Sequence, residues 1–157
     1  MMIKSQSQLI LLKVKEERKS KEVAPEVKSA QRKKAMELLS GQGATDVATA
    51  DVVVTNPTHY AVALRYEKGT DNAPVVVAKG ENLLARRIKI IAAEYEVPMV
   101  ENKPVAQTLF ALGKVGQPIP YALYSVVAEI LALVYKTNAY YFHRLKARRL
   151  LAKPLTG

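Results

Sequence analysis

Val53-Val54-Thr55-Asn56-Pro57-Thr58-His59-Tyr60-Ala61-Val62-Ala63-Leu64-Arg65-Tyr66 consists of two β-rich runs around a short break. Pro57 has no backbone N–H to give to a sheet ladder, and Asn-Pro is a turn-initiating pair. Residues 51–55 and 60–66 are therefore predicted strands, joined through Asn56-Pro57-Thr58-His59.

Downstream, residues 67–72 read as a turn, and Pro74 opens a third strand through Val75-Val76-Val77-Ala78. Leu84, Ile88, Ile91 and Tyr95 fall at helical spacing and predict one buried face, with Arg86, Arg87 and Lys89 largely away from it. Val97 to Val100 is a short fourth strand whose Pro98 assigns it to an edge or a strand start. Asn102 is placed to cap a helix over 104–112, and the run with Leu123, Val126, Val127, Ile130, Leu131 and Val134 is a helix buried on more than one side. The expectation is an α/β fold: one small mixed sheet of about four strands covered by helices, with an N-terminal polar helix within 13–40. Ser40-Gly41-Gln42-Gly43 reads as a stop and flexible joint. The chain then divides into a basic linker and polar helix (1–40), a globular domain (41–136) and a loosely ordered basic C-terminal tail (137–157).

Apolar residues make up 49% of the 157, enough for one core. There is no cysteine, and His59 and His143 are the two histidines, so disulfide frameworks, thiol catalysis, zinc fingers and iron–sulfur clusters are excluded; neither metal nor cofactor is expected. The net charge of +10 resides at the ends, because residues 41–135 hold 8 basic and 9 acidic side chains. Arms of this kind lie against phosphate groups of lipid or nucleic acid or are simply solvated; an anionic membrane surface is the partner expected for them, ahead of nucleic acid. No run approaches the roughly 18 apolar residues of a spanning helix, and no secretory signal is expected.

The chemistry is concentrated at Asn56-Pro57. Ordinary deamidation requires attack by the next backbone nitrogen, and proline closes that route. The reverse attack stays open: the Asn56 carboxamide nitrogen can close on its own backbone carbonyl, form a succinimide and expel the Pro57 nitrogen. His59 supplies an imidazole, which exchanges protons near neutral pH, and Thr58 a hydroxyl for the turn or for a developing oxyanion. The competing reading is an inert Asn-Pro turn.

The quoted segment resembles the self-cleaving segment of the FlhB/YscU family, the export-switch proteins of type III secretion. Ala73-Pro74-Val75-Val76-Val77-Ala78-Lys79-Gly80, Val97-Pro98, and Gly116-Gln117-Pro118-Ile119-Pro120 with Tyr124 and Ala128-Glu129 resemble the family's later landmarks in the same order. The resemblance implies a C-terminal domain on the cytoplasmic face of the bacterial inner membrane, carried by a membrane-embedded protein. It implies a cut between Asn56 and Pro57, with Asn56 bearing the nucleophile, Pro57 leaving, and Thr58 and His59 assisting. This is one intramolecular event rather than enzymatic turnover. The two pieces are expected to stay associated, and the partners to be other export-apparatus proteins and secreted flagellar substrates. Tyr60 followed by Ala-Val-Ala-Leu resembles the flagellar branch, with an injectisome paralogue as the alternative. Ala73, Pro74, Ala128 and Leu131 are candidates for an apolar substrate-docking patch, although core packing is the more ordinary role for Leu131. A second alternative is a basic nucleic-acid-binding module built on Tyr140, Tyr141, Phe142 and His143 with their basic neighbours.

Overall fold

A computed structural model describes residues 42–57 and 59–152. The polar helix and basic linker expected within 1–40, and Thr58, lie outside the described residues. Chain order is α1 (Gln42–Ala48), β1 (Val52–Asn56), β2 (Tyr60–Arg65), β3 (Val75–Glu81), α2 (Asn82–Glu94), β4 (Met99–Glu101), α3 (Lys103–Leu112), a 3-10 turn (Tyr121–Leu123), α4 (Tyr124–Thr137) and α5 (Ala139–Ala152).

The sheet runs β3-β2-β1-β4. β1 pairs antiparallel with β2 and parallel with β4, and β2 pairs antiparallel with β3, so the sheet is mixed and β4 is an edge as Pro98 foretold. Side chains alternate across it. Val53, Ala61, Ala63 and Val77 face a cluster with Val47 of α1, Ile88 and Ile91 of α2, and Leu145 of α5. Val52, Val54, Val62, Leu64 and Val76 face Leu109 of α3 and Val127, Ile130, Leu131 and Val134 of α4. Burial on both faces explains why β1 and β2 read as continuous apolar runs rather than alternating ones.

Three expectations change. Gln42 and Gly43 belong to α1 rather than to a joint, because Val47 and Ala48 on that turn of helix find a place in the core. Tyr95 is 48% exposed. It caps α2 rather than continuing it, and Glu96 takes φ 59° in the left-handed region, so the helical phase that would have buried Tyr95 is lost. The C-terminal segment is not a loose tail over 139–152: α5 buries Tyr141 and Leu145, and Phe142 packs edge-on to Tyr135 and Tyr141 with centroids 4.5 and 5.1 Å away. Tyr141 and Phe142 thus serve the core, whereas Tyr140 is exposed with the Arg144 guanidinium 5.7 Å over its ring.

The contacts that anchor α5 are polar at their ends. The Tyr141 hydroxyl donates to the Ala50 carbonyl at 2.5 Å, and the Tyr135 hydroxyl to Asp51 Oδ2 at 3.1 Å. Burial, then the charge of Asp51, raises both phenols well above the ordinary tyrosine range. A group whose folded pKa is raised contributes stability that is complete below its unfolded pKa, about 10, and lost as pH climbs toward the folded value. The thermal midpoint should fall as pH rises above about 10, and a Tyr135→Phe, Tyr141→Phe double variant should fall less steeply there. Equal slopes for the two proteins would show that the phenols are not responsible.

Candidate functional site

Asn56 is the last residue of β1 and pairs with Tyr60, the first of β2, so only Pro57, Thr58 and His59 lie between the two strands. The steric restriction that proline places on the preceding residue favours extended backbone, and extension is what a strand terminus needs. The His59 backbone N–H donates to the Asn56 carbonyl oxygen at 3.0 Å, closing the turn. Asn56 and Pro57 are half-buried and His59 is exposed.

Neighbouring elements grip the turn from both sides. The Asn82 N–H, at the start of α2, donates to the His59 carbonyl at 3.0 Å. Asn82 has φ 51°, a conformation that asparagine tolerates better than most side chains, and it turns the chain sharply from β3 into α2. Gly80 permits that return, since a Cβ there would lie 2.7 Å from Leu84 Cγ. The Lys89 ammonium, on α2, donates to the Pro57 carbonyl at 2.6 Å. On the other side the Asn102 N–H donates to the Thr55 carbonyl at 3.0 Å, and the Asn102 side chain accepts from Val105 N–H at 3.2 Å to cap α3. Tyr60 stacks on Phe110 at 4.6 Å.

Helical spacing sets Lys89, with Arg86 and Arg87, away from the buried face of α2, and Thr58 is the side chain expected at a developing oxyanion. In the structure Lys89 reaches the turn, and a main-chain N–H occupies the carbonyl. Helical spacing marks a residue as off the buried face but says nothing of how far a four-carbon stem can reach.

Ala73, Pro74, Ala128 and Leu131 line one cleft of about 330 Å³, although 54 residues of sequence separate Pro74 from Ala128. Tyr66, Tyr124 and Tyr135 complete its apolar wall. Leu131 serves at once as cleft floor and as a member of the core cluster with Val127 and Val134. Among the described residues no helix is long and apolar enough to cross a membrane.

Comparison with known proteins agrees with this geometry. The model of the FlhB, HrpN, YscU and SpaS family matches residues 5–134. The flagellar biosynthetic protein FlhB of Bacillus subtilis (strain 168) is 44% identical over 125 residues, 80% of this chain and 35% of that protein. FlhB of Salmonella typhimurium is 45% identical over 123 residues, 78% of this chain and 32% of that protein. The chain thus spans about a third of the length of the curated relatives it matches. Among solved structures, the cytoplasmic domain of FlhB from Shewanella putrefaciens superposes with a TM-score of 0.59 at 38% identity, covering 64% of this chain and 78% of that one. An EscU C-terminal domain carrying an asparagine-to-alanine mutation gives 0.59 at 30% identity, covering 60% and 95%. The chain belongs to the FlhB, HrpN, YscU and SpaS family.

Proposed function

We propose that this is the cytoplasmic domain of a flagellar type III export-apparatus protein, held at the inner face of the bacterial inner membrane. In this reading it cuts itself once between Asn56 and Pro57 and thereby controls which class of substrate is exported. The observation that carries the reading is the Asn56 carbonyl, fixed at a strand terminus, with the His59 N–H 3.0 Å from its oxygen and a proline as the leaving residue.

The step balances without a co-reactant. Asn56 Nδ2 attacks the Asn56 carbonyl carbon, and the oxygen gains negative charge that the His59 N–H is already placed to stabilise. The carbonyl re-forms, the bond to Pro57 nitrogen breaks, and a proton lost from Nδ2 ends on that nitrogen. Water later opens the succinimide. The exposed His59 imidazole and the Thr58 hydroxyl are the groups that assist proton movement. What makes the chemistry workable here is a turn whose backbone is held by α2 and by Asn102.

The pieces stay together because β1 belongs to one fragment while β2 and β4, its neighbours on either side, belong to the other. Burying one valine or leucine side chain contributes roughly 1.5–3 kcal/mol, and a single broken peptide bond removes none of that burial. The cleft at Ala73, Pro74, Ala128 and Leu131 then serves secreted flagellar substrates as an apolar docking patch, with other export-apparatus proteins as further partners.

Mass spectrometry of denatured protein should find residues 1–56 and 57–157 as separate chains, with a new amino terminus at Pro57. Under native conditions both should co-elute as one particle. A single intact mass, with Asn56-Pro57 unbroken after prolonged incubation, would remove the central claim.

A further inference from the structure

The Lys89–Pro57 contact is the shortest polar contact at the turn, 2.6 Å from the ammonium nitrogen to the carbonyl oxygen, within the range of a strong charge-assisted hydrogen bond. Its location matters more than its length. Pro57 is the residue whose nitrogen leaves, and its ring fixes φ, so the main freedom left to the leaving residue is rotation about its own Cα–C bond. A donor on the Pro57 carbonyl removes that freedom. The His59 N–H holds the attacked carbonyl on one side of the scissile bond, and Lys89 holds the carbonyl on the other.

The fold explains how a lysine two helical turns into α2 can do this. Asn82 begins α2 hydrogen-bonded to His59, so the helix axis starts beside the turn and runs away from it, and Lys89 sits about 10 Å along. Side chains on a helix lean toward its N-terminus, so the Lys89 stem points back toward the turn and its ammonium meets the Pro57 carbonyl. Ile88 and Ile91 are buried on either side of Lys89, which anchors the helical segment that carries it.

We propose that Lys89 is a positioning residue for the cut: by gripping the Pro57 carbonyl it holds the leaving residue still while the Asn56 carboxamide closes on the Asn56 carbonyl carbon. This rests on the self-cleavage reading. The contact falls on the Pro57 carbonyl oxygen, which is outside the scissile bond, and no bond to the ammonium forms or breaks. Its contribution is to keep the leaving nitrogen in the geometry from which it departs, where misplacement by about 1 Å can slow a reaction on the order of 100-fold.

The test follows uncut chain with time in pulse-labelled cell-free synthesis of the whole chain, comparing wild type, Lys89→Met and Lys89→Arg. Methionine keeps the apolar stem without a donor, and arginine restores a cationic donor. Lys89→Met should cut about 10- to 100-fold more slowly, and Lys89→Arg should recover most of the rate. The same two substitutions in an Asn56→Ala background, where no cut confounds unfolding, should differ little in thermal midpoint. Cutting of Lys89→Met at the wild-type rate would overturn the proposal and leave self-cleavage standing, as would equal slowing by Met and Arg, or slowing that follows a lowered midpoint. A wild-type chain that stays uncut overturns self-cleavage, and the role of Lys89 with it.

Discussion

Asn56→Ala should remain one chain indefinitely while keeping the fold. The substitution deletes the attacking carboxamide, and no other group on the turn carries a nitrogen that can close a five-membered ring on the same carbonyl. It removes no buried apolar side chain, and the two backbone bonds that define the turn, His59 N–H to Asn56 and Asn82 N–H to His59, do not involve the side chain. A stability change of roughly 1 kcal/mol is expected, with circular dichroism unchanged in shape. His59→Ala should cut slowly rather than not at all. It deletes the imidazole, and general acid or base help typically contributes about 10²- to 10⁴-fold, but the main-chain N–H on the Asn56 carbonyl survives. Pro57→Ala should fall between the two, since it keeps the nucleophile, loosens the turn and reopens ordinary deamidation. The readout is the fraction of uncut chain over time after synthesis. An Asn56→Ala chain severed at the wild-type rate would point to an outside protease and end the self-cleavage reading.

The order of those effects could be written from the sequence, because it depends on residue types next to one another. So could the sheet, whose four strands follow from β-branched runs punctuated by proline and from the single turn between 56 and 60. What the sequence could not supply is anything set by distance across the fold. Lys89 is 32 residues from Pro57 in the chain and meets it because Gly80 and Asn82 fold α2 back over the turn. The C-terminal segment carries many charges and a weak apolar stripe, which reads as solvated. Its helix is held instead by two buried side chains and by polar contacts to residues 49–51, and no local pattern announces those contacts. Asp51 is the plainest case. It stands at the head of a predicted strand, where nothing local marks a carboxylate for burial, yet it is 2% exposed.

Asp51→Ala should be among the most destabilising single changes in the described domain. Its Oδ1 accepts from the Tyr66 N–H at 2.8 Å and from Arg149 Nη2 at 2.7 Å, and its Oδ2 accepts from the Tyr135 hydroxyl. Three segments distant in sequence, the end of β2, α4 and α5, therefore meet on one carboxylate. Removing it strands the Arg149 guanidinium, whose side chain is only 17% exposed, leaving it the Thr49 carbonyl at 3.0 Å as a neutral partner. Breaking a buried pair from one side typically costs about 3–5 kcal/mol, and the partial exposure of Arg149 favours the lower end of that range. Against a typical domain stability of about 5–15 kcal/mol, that is a large share. Arg149→Met should cost less, because Asp51 keeps the Tyr66 N–H and the Tyr135 hydroxyl and the methionine stem keeps much of the packing. Denaturant midpoints measured in the uncut Asn56→Ala background give both values on one scale. In cut protein the consequence is larger than a midpoint. Asp51 travels with residues 1–56, whereas Tyr66, Tyr135 and Arg149 all belong to 57–157, so this carboxylate is a polar rivet between the two pieces. Asp51→Ala should therefore shed residues 1–56 on native gel filtration under conditions where the wild-type pieces co-elute. A loss below about 1 kcal/mol, with the pieces still together, would mean that the sheet and the apolar packing around it hold them and that the Asp51 cluster merely orders α5.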